Sequence, residues 1–153
     1  MEEYIDDSLW RSSYGKEQWK VNYSIMVVDD DPNLRVLLQQ MLAFRGFKVV
    51  EAENGADALL KIDKQPVDAI VLDVMMPVMN GIEVCKKLRK KPAYQDTPII
   101  MLSGKVHQEA VREGMRAGAT KYLCKPIPMT ELIDEIKAVL QIDSISDSIL
   151  TSQ

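Results

Sequence analysis

The sequence is short of the residues from which most metal and redox sites are built. It contains one histidine, His107, and two cysteines, Cys85 and Cys124, in 153 residues. A multi-histidine metal centre is therefore excluded, and two cysteines this far apart make neither a disulfide framework nor a zinc site. Both cysteines stand in apolar stretches and read as small core residues. His107, in the charged run KVHQEAVREG, reads as a solvated helix position. Basic residues are outnumbered as well: 19 Lys and Arg against 23 Asp and Glu leave a net charge of −4. That balance argues against general binding to nucleic acid or anionic membranes, either of which needs a basic face. No apolar run approaches the ~20 residues that span a bilayer. The first residues, MEEYIDD, lack the apolar core of a signal peptide, so a cytoplasmic protein is the expectation. Aromatic residues are few, and five of the nine (Tyr4, Trp10, Tyr14, Trp19 and Tyr23) fall in residues 1–23.

What is present is an ordinary globular mixture, 46% hydrophobic and 27% charged, of a length that suits one domain with short extensions. Five apolar runs recur along the middle of the chain, at 25–28, 47–50, 69–72, 99–102 and 121–124. Their continuous Ile, Val and Leu content suits strands covered on both faces. Helical patterns lie between them. In 32–45, Leu34, Leu37, Leu38, Met41 and Leu42 make one apolar stripe, with Asp31 as cap, Pro32 in the first turn and Gly46 as stop. In 130–141, Leu132, Ile133, Ile136, Val139 and Leu140 repeat the pattern behind Thr130 as cap. Further helices are expected at about 56–64, 81–90 and 105–116. The last is the weakest, its apolar positions being only Val106, Ala110, Val111 and Met115. Five strands alternating with five helices predict an α/β domain with a parallel sheet, right-handed crossovers and helices on both faces. Outside it lie the aromatic-rich N-terminal extension, 1–23, and a Ser-rich tail, 143–153, expected to fray.

Ligands of an open parallel sheet bind beyond the carboxyl ends of its strands. Strand one runs into Asp29-Asp30-Asp31, strand three into Asp73, strand four into Ser103-Gly104 and strand five into Lys125-Pro126. Strand two, ending in Glu51-Ala52, is the exception. Taken singly, each polar residue has an ordinary explanation as a cap, a turn former or a solvated charge, and for Asp31 the cap is preferred. Taken jointly, three or more acids, a hydroxyl and a lysine meet at one edge. Clustered carboxylates repel unless a cation sits among them. A hard divalent ion such as Mg²⁺ takes oxygen ligands, waters and a phosphate oxygen. Lysine and serine suit the remaining phosphate oxygens, and a free carboxylate can be the nucleophile. The set fits phosphoryl transfer to an aspartate.

The motifs IMVVDDDPNLR, AIVLDVMMPVMNG, TPIIMLSG and GATKYLCKPI, in that order, resemble the receiver domain of bacterial two-component response regulators over roughly 25–141. The resemblance implies a flavodoxin-like, doubly wound, five-stranded parallel sheet of order 2-1-3-4-5 for residues 24–142. It implies Asp73 as phosphoacceptor. Asp29 and Asp30 would be the acid pair that binds Mg²⁺, with Asp30 favoured as direct ligand, and the Met75 backbone carbonyl a further ligand beside Asp73. Ser103 would be the switch hydroxyl, Lys125 the partner of the phosphoryl group and Tyr122 the aromatic that turns inward with Ser103. Pro126 follows Lys125 through a peptide bond that is usually cis in the family. Pro77 and Gly81 fall in the loop after the acceptor. Two departures stand out. Gly104 replaces the commoner Ala and should leave the pocket open. Met75 places an apolar side chain where other members carry Asn or a charge, and is expected to shield Asp73 from water.

The expectation is thus a stand-alone receiver that is a signalling switch rather than a classical enzyme. It would be phosphorylated by a sensor histidine kinase or phosphotransfer protein, would contribute to its own phosphorylation and autodephosphorylation, and would act on a downstream protein target. Only about a dozen residues follow the last helix, so no direct DNA binding is expected. Family members often dimerise through the fourth and fifth helices, which leaves a phosphorylation-linked dimer open. A phosphatase of the haloacid dehalogenase type would need an acid two residues after the nucleophile, where Met75 stands. A metal-free pseudo-receiver would lack the acids that are present. The aromatic extension is read as packing on the domain, with partner docking as the alternative.

Overall fold

The computed structural model describes residues 23–142. Five strands, β1 (Ser24–Val28), β2 (Lys48–Ala52), β3 (Ala69–Asp73), β4 (Ile99–Ser103) and β5 (Lys121–Cys124), form one parallel sheet in the order β2-β1-β3-β4-β5. Helices α1 (Pro32–Phe44), α2 (Gly55–Lys64), α3 (Gly81–Arg89), α4 (Gln108–Ala117) and α5 (Met129–Leu140) alternate with them, and a 3₁₀ turn at Pro92–Tyr94 precedes β4. This is the expected flavodoxin-like arrangement. No helix among the described residues is long and apolar enough to cross a membrane. The extension and tail lie outside the described residues, apart from Tyr23.

The sheet separates two cores, and the period of two along each strand decides which side chain enters which. Ile25, Val27, Ala69, Val71, Ile100 and Leu102 pack with Leu38, Leu42, Leu132, Ile133 and Ile136 of α1 and α5. Met26, Val28, Ile70, Leu72, Ile99 and Met101 pack on the other side with Ile62, Val84, Cys85 and Leu88 of α2 and α3. Fully burying one such side chain is worth roughly 1.5–3 kcal/mol, so the central strands β1, β3 and β4 are pinned in register from both faces. The edge strands β2 and β5 are only partly covered. Arg89 closes the lower part of this second layer, donating to the carbonyls of Tyr94, Thr97 and Gly118 at 2.7–2.9 Å.

Several expectations need correction. Leu37, assigned to the buried stripe of α1, is 43% exposed, while Leu38 and Leu42 carry the burial. Cys85 is a core residue but Cys124, on the edge strand, is exposed. Thr130 does not cap α5; the helix starts one residue earlier with Pro128 in the cap position and no side-chain cap bond. The fourth helix starts at Gln108, and its buried residues are Ala110, Gly114 and Ala117, with Val106 and Met115 turned out. Of the apolar positions read from the sequence only Ala110 belongs to the buried face, which is otherwise made of small residues. His107 precedes the helix as its N-cap, Nδ1 accepting from the Ala110 N–H at 3.2 Å.

Candidate functional site

The strand ends converge as the topology requires. Asp29 follows β1, Asp73 closes β3 and Lys125 follows β5. Counted along their strands, Asp29 and Asp73 share the parity of Ile25 and Ala69, and Lys125 that of Leu123, so all three belong to the side of the sheet covered by α1 and α5. Ser103 and Tyr122 have the opposite parity, that of Ile99 and Met101, on the side of α2, α3 and α4.

Lys125 Nζ donates to Asp73 Oδ1 at 3.2 Å and to Asp29 Oδ2 at 3.4 Å, so one ammonium serves two carboxylates. Both acids are buried, at 3% and 4% exposure, whereas Asp30 is exposed. Carboxylate oxygens of Asp29, Asp30 and Asp73 lie within 4.8 Å of one another. Burial, then the charge of Asp29, push the Asp73 carboxyl up from 3.8 to about 6; Lys125 and the Met75 N–H, 3.3 Å from Oδ1, pull the other way and do not win. Burial works against the Lys125 ammonium, yet Asp73 and Asp29 outweigh it and raise its pKa. With three carboxylates set against one ammonium, the pocket is two positive charges short. Oxygen-only donors, two of them buried and one facing solvent, suit a hard divalent cation that keeps some of its waters. A softer metal would need nitrogen or sulfur ligands that the cluster lacks.

The surroundings hold the acids in place. The Asp29 N–H donates to the Ala52 carbonyl, and Asp29 Oδ1 accepts from the Asp31 N–H at 2.9 Å. Asp31 Oδ1 accepts the Asn33 N–H and caps α1, as expected of it. Beyond Asp73 the loop returns into α3, whose cap Asn80 forms a reciprocal pair with Glu83. Gly81 lies so close to the Asp73 carbonyl and the Val74 backbone that any side chain there would collide with the acceptor strand. The Lys125–Pro126 peptide is cis, as the resemblance implied.

Ser103 is fully buried, and its Oγ accepts from the Lys105 N–H at 3.0 Å. Tyr122 donates from its hydroxyl to the Lys105 carbonyl at 2.9 Å. The two groups are thus joined through one backbone unit, that of Lys105, which the sequence did not single out. A Cβ added at Gly104 would meet nothing within 4 Å, so the openness expected there does not depend on the glycine. Met75 is 52% exposed and lines a cleft of about 400 Å³ with Val74, Lys105, His107, Glu113 and Tyr122. A second recess of about 390 Å³, almost wholly apolar, lies beside Lys125 and is lined by Leu34, Leu102, Pro126, Ile127 and Met129. The geometry brings together every acid proposed from the sequence, and Lys125 with them.

Comparison with known proteins points the same way. The family model for the response regulator receiver domain matches residues 25–137. The chain is 41% identical over 117 residues to the transcriptional regulatory protein ResD of Bacillus subtilis, covering 76% of this chain and 48% of that protein. It is 40% identical over 121 residues to the alkaline phosphatase synthesis transcriptional regulatory protein PhoP of the same organism, covering 79% and 50%. The chain therefore spans about half the length of these curated relatives. Among solved structures, the chemotaxis protein CheY4 of Vibrio cholerae superposes with a TM-score of 0.75 at 35% identity, over 78% of this chain and 99% of that one.

Proposed function

The chain belongs to the response regulator receiver domain family, and from that premise we propose that it is a phosphorylation-controlled switch whose acceptor is Asp73. The observation that carries this reading is the buried Asp73 carboxylate, in contact with Lys125 and within metal-sharing distance of Asp29 and Asp30. A histidine kinase or phosphotransfer protein presents a phosphohistidine. An Asp73 oxygen attacks phosphorus, the P–O bond forms as the P–N bond breaks, and the imidazole leaves with the bond's electron pair and takes up a proton. Mg²⁺, held by Asp29, Asp30, Asp73 and the Met75 carbonyl, would neutralise the phosphoryl oxygens. Lys125 supplies the other fixed positive charge, already placed against the acceptor.

The same reading assigns the response. Phosphorylation adds charge at the strand end, Ser103 exchanges its Lys105 contact for the phosphoryl group, and the Lys105 loop releases Tyr122 to change rotamer. The surface of α4, β5 and α5 then favours a protein partner in the cytoplasm. The expectation of no DNA contact is narrowed to the receiver domain itself, because the relatives named as transcriptional regulators are about twice as long as their match to this chain. Acetyl phosphate with Mg²⁺, followed by intact-mass measurement, tests the acceptor. One phosphoryl adduct, absent in Asp73→Ala and lost on standing, is expected. Continuous turnover without an adduct, or an adduct that survives in Asp73→Ala, would overturn the assignment.

A further inference from the structure

We infer that Arg35, anchored by Glu51, is a positioning residue for the acidic pocket, fixing the backbone that aims the Asp29 and Asp30 carboxylates. Arg35 stands in the first turn of α1, and its side chain is only 16% exposed. Its Nη1 donates to the Asp29 carbonyl at 2.7 Å, and its Nε donates to Glu51 Oε1 at 3.2 Å. The guanidinium fork thus ties the ends of β1 and β2 to the start of α1. Lysine could not replace this arrangement with a single point donor. Glu51 is held from behind, Lys61 Nζ donating to its backbone carbonyl at 2.6 Å. The acid at the end of β2, the strand that delivers nothing to the pocket, thereby acquires a role.

Asp29 consequently has all of its polar groups engaged. The N–H goes to Ala52, the carbonyl to Arg35, and the carboxylate to the Asp31 N–H and to Lys125. Of these four, the Arg35 contact alone fixes the carbonyl that leads into Asp30. Asp30 is exposed, so its direction depends mainly on the backbone that carries it. Outer groups that orient ligands typically change metal affinity by 10–100-fold.

The inference rests on the divalent-cation reading of the site, and the sign of one measurement separates it from simple electrostatics. Removing a positive charge near an acidic pocket should by Coulomb's law tighten Mg²⁺ binding. Loss of positioning should weaken it. The test is the rise of the thermal midpoint with added Mg²⁺, starting from EDTA, which yields an apparent affinity without any phosphorylation assay. Arg35→Met is expected to bind Mg²⁺ about tenfold more weakly than the parent. Affinity equal to or tighter than the parent's overturns the inference, whatever the variant's metal-free stability. Should Arg35→Met fail to fold, Glu51→Ala and Glu51→Gln decide: both lose the same charge, but only Gln keeps an acceptor for Arg35. Weaker binding in Ala than in Gln supports the anchor, and equal affinities refute it. A parent that does not respond to Mg²⁺ at all sinks the cation reading together with this inference, whereas a responsive parent with an unchanged Arg35→Met sinks the inference alone.

Discussion

Replacing Asp73 by asparagine should make the metal-free protein more stable at neutral pH, and the gain should vanish in acid. Burial and the neighbouring Asp29 push the Asp73 carboxyl up from 3.8 to about 6. The folded state therefore keeps the Asp73 proton up to about pH 6, while the unfolded chain releases it near pH 4. Between those values the folded state binds more protons, so stability falls as pH rises, and the cost is fully present above about pH 6. A shift of about two units corresponds to about 3 kcal/mol, as an upper figure, at about 1.4 kcal/mol per unit. Asparagine has the shape of the protonated acid and carries no charge, and Lys125 retains Asp29 at 3.4 Å as its partner. Urea unfolding in EDTA, followed by circular dichroism, should move the Asp73→Asn midpoint up at pH 7.5 by at most roughly 1–3 M, for a slope of about 1–3 kcal/mol/M. The two curves should meet near pH 4. Adding Mg²⁺ should narrow the gap at pH 7.5, because the parent loses more repulsion to the cation. Equal stability of the two proteins in EDTA at pH 7.5 would refute the reasoning, and so would a gap that persists unchanged at pH 4.

Other substitutions probe the surroundings of the acceptor. Met75→Asn should shorten the phosphorylated lifetime severalfold, measured as loss of the adduct by intact mass, because an amide can hold an attacking water where the thioether excludes one; an unchanged lifetime would show that the exposed Met75 side chain shields nothing. Gly81→Ala should destabilise the fold by about 1–3 kcal/mol in chemical unfolding, since its methyl would press on the Asp73–Val74 backbone. Gly114→Ala is a contest of signs: alanine in a helix interior usually gains about 0.5–1 kcal/mol over glycine, but here the new methyl would stand 2.7 Å from the Tyr122 ring and 2.9 Å from Met101 Sδ. The collision should win, giving lower stability and a changed Tyr122 environment in near-ultraviolet circular dichroism.

The central strands were legible because β1, β3 and β4 are covered on both faces and so read as unbroken apolar runs. The candidate site was legible for a related reason: parallel strands deliver their last residues to one edge, so Asp29, Asp73 and Lys125 could be grouped without knowing any distance. Helix α4, expected at 105–116 and found at Gln108–Ala117, read as weakly apolar because its inner face is made of Ala110, Gly114 and Ala117, which carry little hydrophobic signal. Arg35 and Glu51 were missed for another reason. A long side chain that bonds a backbone carbonyl leaves no periodic trace, and an Arg three residues into an apolar helix reads as part of its solvated face. Lys105 escaped notice because its backbone, rather than its side chain, makes the two contacts.

In the proposed switch, the parity of the strands would let one small sheet separate chemistry from readout. Asp29, Asp73 and Lys125 belong to the α1–α5 side, and Ser103 and Tyr122 to the side of α4. On that proposal, a change of charge at Asp73 would have to be passed across the sheet's edge before it reached Tyr122. Ser103 is placed for that step: Leu102 is the register partner of Asp73, and Ser103 lies one residue beyond it. From Ser103 Oγ the hydrogen bonds run through the Lys105 N–H and its carbonyl to the Tyr122 hydroxyl. A Cβ at Gly104 would meet nothing within 4 Å, so no packed side chain stands against that position. An alanine at this position would keep the hydrogen bonds but restrict the backbone joining them. In the proposed switch, the glycine would therefore bear on the response of the loop rather than on the affinity of the acidic pocket.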